Sequence, residues 1–294
     1  MKNRVPGARI GSGDVPIPAV GEEEAQGETG VLFADIRRVL GVPVVNLIWR
    51  HLATFPSGLD WAWGAVRPFY HSGAAAREGA ALLVALPLPS LATWSRGELR
   101  AAAVDGVAER TLITVLDSYN RSNAMNLVAL TALGLRLKGQ PEAPAAPAGP
   151  VAPAAPPDGP PERESQMPAL LTLAQMAPAT ADMVRQLDAL GERSDGRVRA
   201  SMYRHLAHWP LFLALARARI APLHDDGRLA GLIAAATDLA RASAVRVAGE
   251  LAASGPAPTA ATRAAVQVAL TGFTGGVIPK MVPICALLRR AMPS

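Results

Sequence analysis

One helical segment occurs twice in the chain, and this repeat constrains the fold more than any other feature. The segment 49–56, WRHLATFP, returns as YRHLAHWP at 203–210, 154 positions later. The same shift aligns further residues without a gap: Pro68 with Pro222, Gly73 with Gly227, and Leu116 with Leu270. Two related units follow, about 31–137 and 185–291. Because two copies are too few for a stacked array, the sequence predicts a pseudo-dimer of two homologous halves packed about an approximate two-fold axis.

Both units show the apolar periodicity of helices. Leu112, Val115, Leu116 and Tyr119 share one helical face, at i, i+3, i+4 and i+7. No segment shows the strict alternation that is typical of a half-buried strand. We therefore predict an all-α protein, with the motif helices near 44–54 and 197–208.

Composition divides the chain into four parts. Residues 1–30 are rich in Gly, Pro and Glu and lack the apolar stretch of a signal peptide, so they are predicted to form a disordered N-terminal arm. Residues 139–165 contain nine prolines among alanines and glycines, which is typical of a linker. The helical repeats are predicted at 31–138 and 166–294.

Charge and cysteine content exclude several classes of function. Of the 29 basic residues 26 are arginines, scattered without interleaved aromatics, which argues against a nucleic-acid surface. The most apolar window, 80–94, contains two prolines and is too short to span a membrane. A single cysteine, Cys285, excludes an intrachain disulfide, and no metal or nucleotide motif is present. The sequence predicts a cytoplasmic protein without metal or cofactor and leaves self-association open.

Polar residues that differ between the repeats indicate the site, because residues shared by both, such as His51 and His205, are explained by folding. Asn120 and Asn123 lie one turn apart on a predicted helix, and the second repeat has no amide at either position. Either they line a polar cavity or they face water beyond the helix end. We favour the cavity, because the following segment, 127–135, stays apolar and a buried amide needs a partner.

Two charged residues allow two interpretations each. Asp195 is either a catalytic carboxylate or the cap of the next helix, which is the commoner role of an aspartate at such a position. Lys280, in an apolar run, either supplies a positive charge for an anionic ligand or extends its ammonium group to the surface.

Two all-helical repeats, a proline-rich linker and the motif RHLA-x-[FW]-P in each half together resemble the group I 2-haloacid dehalogenases, the DehI type. The resemblance covers most of 31–291. It implies one active site between the halves, where an aspartate activates a water that displaces halide directly at the α-carbon of a short 2-haloacid, without cofactor or metal. It also implies that Asn120 holds the substrate or water, with Asn123 one turn further on. The opposite wall would comprise Val44, Asn46 and Leu47.

The aspartate of that family follows a serine, and two positions here match. Ser194-Asp195 keeps both residue types and makes Asp195 the predicted base. Ser201-Met202 fits the repeat frame and would put Met202 where the base belongs, although a thioether cannot take a proton from water. The resemblance therefore implies either a dehalogenase or a catalytically silent relative that binds a small carboxylate.

Overall fold

The computed structural model describes residues 17–139, 167–192, 198–252 and 258–293. All of the regular structure in these ranges is helical, and they contain no strand. The all-α prediction is therefore confirmed. The predicted linker, 139–165, lies outside the described residues except for Gly139.

Twelve α-helices make up the described ranges. They are α1 (Gly27–Leu40), α2 (Leu47–Leu52), α3 (Gly58–His71), α4 (Ala74–Ala85), α5 (Arg96–Ala101), α6 (Gly106–Leu137), α7 (Pro178–Ala189), α8 (Ser201–Leu206), α9 (Pro210–Asp225), α10 (Arg228–Val247), α11 (Ala260–Gly275) and α12 (Val277–Ala291). The motif helices α2 and α8 are shorter than predicted. Pro210 begins α9, where its missing N–H has no intrahelical partner to lose.

Helix α6 connects two hydrophobic cores. It has 32 residues, a length of about 48 Å. Its N-cap is Asp105, whose carboxylate accepts hydrogen bonds from the backbone N–H groups of Val107 and Ala108. The N-terminal half of α6 contributes to a core that also contains residues of α5, α7 to α10 and α12, and its C-terminal half contributes to a core that also contains residues of α1 to α4 and α10 to α12. Each core therefore contains residues from both predicted repeats.

The apolar stretch near the C-terminus is divided into α11 and α12. Gly276, between them, has φ −122° and ψ −101°, which is not helical. The interruption lies just before Pro279, which falls in the first turn of α12, whereas Pro283 lies inside that helix. By length and composition the stretch 260–291 could cross a membrane, but 61% of its most apolar window is buried inside the protein, as in a core helix.

The prediction of a disordered arm over 1–30 is wrong for its described part. The side chains of Ile17 and Val20 pack against the first core, and α1 begins at Gly27. The Val20 N–H donates to the Arg50 carbonyl oxygen at 3.0 Å, and the Pro18 carbonyl oxygen lies 2.6 Å from His51 Nδ1. Two apolar side chains and these backbone contacts hold a segment whose composition alone indicates disorder.

Candidate functional site

A small cavity of about 40 Å³ lies where α2, α6, α8, α11 and α12 meet, and we call it the central cavity. It contains five of the residues that the sequence predicted for the site: Asn46, Leu47, Asn123, Ser201 and Met202. A cavity of this size holds a few water molecules, so it suits only a short ligand.

Three other predicted residues are not part of its described wall. Val44 lines a neighbouring cavity instead. Asn120 does not line the central cavity, contrary to expectation, although its Oδ1 is buried and has no hydrogen-bond partner among the described residues. Asp195 lies outside the described residues.

The geometry of α6 explains why one asparagine reaches the cavity and the other does not. Tyr119, Asn123 and Asn126, at i, i+4 and i+7, share one helical face and all line the cavity. Asn120 follows Tyr119 directly and therefore lies about 100° further round the helix. The sequence spacing placed the two predicted asparagines on neighbouring strips of α6, and only one strip faces the cavity.

Two polar atoms of the cavity wall lack a partner. The amide Nδ2 of Asn46 donates to Ser122 Oγ at 3.0 Å, but Asn46 Oδ1 is buried and unpaired within the described ranges. Ser201 Oγ is also buried and has no hydrogen-bond partner among the described residues. An unsatisfied buried polar atom costs about 1–3 kcal/mol. These two atoms therefore mark places where a ligand or a water would complete a hydrogen bond.

The sulfur of Met202, which lines the cavity, lies against Cys285 behind the wall. Cys285 Sγ lies 3.3 Å from Met202 Sδ and 3.6 Å from Asn123 Nδ2. Burial raises the pKa of Cys285 to about 12, so the thiol stays protonated and can donate to the Met202 sulfur. The uncharged thiol of Cys285 therefore helps to position the Met202 side chain in the cavity wall.

A buried ion pair behind the wall was missed by the sequence reasoning. Lys280 is 3% exposed; its ammonium group lies 3.3 Å from Asp188 Oδ1 and also donates to the Asp188 carbonyl oxygen. Asp188 Oδ1 accepts the Ala200 N–H at 3.1 Å, and Ala200 lines the cavity. Lys280 therefore neither reaches the surface nor offers an unpaired charge to a ligand. The sequence did contain one sign that Asp188 is buried: it falls on the apolar face of α7, four residues after Val184.

His205 and Tyr119 form a second buried pair beside the cavity. The Tyr119 hydroxyl lies 2.9 Å from His205 Nδ1. Burial and the charge of Arg204 lower the pKa of His205 to about 3, so the imidazole is neutral near pH 7. The direction of this hydrogen bond depends on which imidazole nitrogen carries the proton, and His205 Nε2 is buried without a partner among the described residues. His205 thus orients Tyr119, which lines the cavity, and does not serve as a base near pH 7.

No carboxylate is found among the described residues of the cavity wall. Asp188, behind Ala200, is already bound by Lys280. In the described ranges, no three His, Cys, Asp or Glu side chains come together as a possible metal site. The described wall can bind and orient a small polar molecule, and a base for water would have to come from elsewhere in the chain.

Comparisons with known proteins indicate one family resemblance. No family model matches the chain. It is 31% identical over 110 residues, 35% of its length, to an (R)-2-haloacid dehalogenase of Pseudomonas putida. It is 27% identical over 203 residues, 67% of its length, to a configuration-inverting 2-haloacid dehalogenase of Alcaligenes xylosoxydans xylosoxydans. These matches span only 36% and 66% of the two relatives.

Solved structures of D-2-haloacid dehalogenase share the fold. A mutant superposes with a TM-score of 0.75 at 16% identity, covering 95% of this chain and 97% of the other. The complex with L-LA gives a TM-score of 0.73 at the same identity and coverage. The chain therefore resembles 2-haloacid dehalogenases in sequence, and its fold is that of the D-2-haloacid enzyme.

Proposed function

We propose that the central cavity binds a short 2-haloacid and that the protein releases halide from it by hydrolysis. The observation that carries this proposal is the cavity itself, which is small, mostly apolar and supplied with unpaired polar atoms on Asn46 and Ser201. Arg199 also lines it and carries a charge that suits a carboxylate. The reaction class, dehalogenation of a 2-haloacid, is taken from the names of the relatives.

Each wall has a role in this proposal. Ser201 donates a hydrogen bond to the substrate carboxylate, and Asn46 Oδ1 accepts one from the attacking water. Asn123 orients the water and substrate, while Leu47, Met202 and Phe273 surround the carbon chain. Asp195 takes a proton from water as the water oxygen bonds to the α-carbon, and halide leaves with the electrons of the broken carbon–halogen bond. The proposal needs no metal or cofactor and keeps the protein in the cytoplasm.

A second candidate is a relative that binds a small carboxylate without turnover. Two observations favour it: Met202 stands in the cavity wall, and the described wall contains no carboxylate. Under this candidate, Met202 occupies the place of the base. The alternative prediction that Asp195 caps this helix is wrong, because α8 begins at Ser201 and its N-cap is Ala200.

The proposal includes two homologous halves, 31–138 and 166–294, related by a pseudo-two-fold axis. Adding 154 to the bounds of α2, 47–52, gives 201–206, the bounds of α8. The same shift takes the bounds of α6, 106–137, to the first residue of α11 and the last of α12. Paired positions also meet in the central cavity: Asn46 with Ala200, Leu47 with Ser201, Ile48 with Met202, Tyr119 with Phe273, and Asn123 with Val277. These pairs favour a cavity on the axis.

The test is halide release from each enantiomer of 2-chloropropionate. We expect the wild type to release chloride and Asp195→Asn to lose that activity while keeping its thermal unfolding temperature, since asparagine has nearly the size and shape of aspartate. Robust release by Asp195→Asn would refute the assignment of the base.

The same assay separates the second candidate. A silent wild type that binds 2-chloropropionate, together with halide release gained by Met202→Asp, supports binding without turnover. Met202→Leu is the matched control, because it changes the side chain without adding a base. Absence of binding by the wild type would reject both candidates.

A further inference from the structure

A second cavity of about 600 Å³ adjoins the central cavity and is lined by arginines. We call it the arginine cavity, and its basic residues are Arg50, Arg185, Arg199 and Arg204. It shares Arg199 and Leu47 with the wall of the central cavity. Its described lining contains no acidic side chain. The two cavities thus meet at a positively charged boundary.

Arg50 and Arg204 occupy corresponding positions of the two repeats. The Nε of Arg50 donates to the Val20 carbonyl oxygen at 3.0 Å, and that of Arg204 donates to the Leu171 carbonyl oxygen at 2.6 Å. Both partners are uncharged, and neither guanidinium forms an ion pair with a carboxylate of the described ranges. Burial, and after it the charge of Arg50, lower the pKa of Arg204, so the two positive charges repel each other. An anion between them would relieve that repulsion.

The other two arginines are engaged by carboxylates. Arg185 forms an ion pair with Asp182 at 2.6 Å, and Arg199 lies 3.9 Å from Asp188. The net positive charge of the arginine cavity therefore comes mainly from Arg50 and Arg204.

Two further cavities adjoin the central one, and the lining of each includes acidic residues. One, of about 550 Å³, includes Glu22, Glu23 and Glu24 and shares Arg50 and Arg204 with the arginine cavity. The other, of about 690 Å³, is mostly apolar and includes Glu192, and its only lysine, Lys280, is paired with Asp188. Of the three cavities that adjoin the central one, only the arginine cavity is lined by basic residues without any acidic residue among the described lining.

We propose that the arginine cavity is the entrance through which an anionic substrate reaches the central cavity, and that Arg50 and Arg204 steer the carboxylate towards it. This inference rests on the proposed binding of a 2-haloacid. A cleft lined by one sign of charge raises the association rate of an oppositely charged ligand, and salt weakens the effect. The uncharged amide of the same acid would gain nothing from the two arginines.

The experiment measures binding of 2-chloropropionate and of 2-chloropropionamide to the full chain, by calorimetry, at about 20 mM and about 0.5 M ionic strength. Arg50→Gln and Arg204→Gln remove the charge but keep an N–H donor for the backbone carbonyl. Arg50→Lys and Arg204→Lys keep the charge. Arg110→Gln, at an exposed position that lines none of the four cavities, is the matched control.

We expect each Gln variant to weaken 2-chloropropionate binding about threefold to tenfold at low salt, with the difference shrinking at high salt. The Lys variants should keep most of the affinity, Arg110→Gln should bind like the wild type, and no variant should change binding of the amide. Gln variants that bind the anion as tightly as the wild type would overturn the entrance, whatever the fate of the proposed hydrolysis.

The two proposals fail separately. Absence of halide release, combined with salt-dependent anion binding that the Gln variants lose, would reject hydrolysis and support the entrance. Halide release whose kcat/KM is the same in the wild type and the Gln variants would support hydrolysis and reject the entrance. Absence of any 2-chloropropionate binding would reject both.

Discussion

Replacing Lys280 with methionine should destabilise the protein strongly. Methionine is also long and unbranched, so the substitution removes the charge and leaves little empty volume. Asp188 would keep a carboxylate that is 4% exposed, with Arg199 3.9 Å away as its remaining cation. Breaking a buried pair by removing one partner typically costs about 3–5 kcal/mol. We expect a loss of that size in the free energy of unfolding.

Urea unfolding followed by circular dichroism measures this loss. Lys138→Met, at an exposed position, should change the free energy of unfolding by less than about 0.5 kcal/mol and serves as the control. The double variant Lys280→Met/Asp188→Asn should cost clearly less than the two single substitutions added together, because no charge is left buried. A cost below about 1 kcal/mol for Lys280→Met, or strict additivity in the double variant, would refute the reasoning.

Three further predictions concern pH and packing. Burial raises the pKa of Asp35, but the hydrogen bonds led by Arg67 outweigh it and bring the pKa to about 2, so Asp35→Asn should cost about 2 kcal/mol at pH 7 and this cost should disappear as pH falls to about 2. Because the pKa of His205 is about 3 when folded and about 6.5 when unfolded, the unfolded chain binds the proton first. Stability should therefore fall by up to about 1.4 kcal/mol per pH unit below about 6, and His205→Gln should flatten that slope in pH-dependent melting. A Cβ on Gly79 would lie 3.0 Å from the Met125 backbone nitrogen, so Gly79→Ala should lower the melting temperature, whereas Gly64→Ala, with no atom within 4 Å, should raise it slightly.

The sequence predicted the helical class and part of the site because both depend on local periodicity. Apolar spacing placed Tyr119 on a buried face, and the cavity includes it. Asn46, Ser201 and Met202, by contrast, were predicted from the resemblance to the 2-haloacid dehalogenases. The same local signal could not separate Asn120 from Asn123, since residues three apart share a face only approximately, and the packing of α12 decides which amide is enclosed.

What the sequence missed depends on contacts between distant residues. Lys280 and Asp188 are 92 positions apart, and nothing near either residue indicates the other. The ordered segment after Ile17 is held by hydrogen bonds to Arg50 and His51 and by apolar packing, none of which its composition shows. Periodicity gives the faces of helices, and tertiary packing decides which faces meet.

The sharing of α6 between both cores has a consequence for how the protein unfolds. One core takes Leu112, Val115 and Leu116 from this helix, and the other takes Leu127 and Val128. A fragment ending before the second repeat would expose the first set to water, and a fragment beginning after α6 would lack it altogether. Neither half has a complete interior of its own, so heating should produce one cooperative transition, and the two halves expressed as separate chains should gain structure only when mixed.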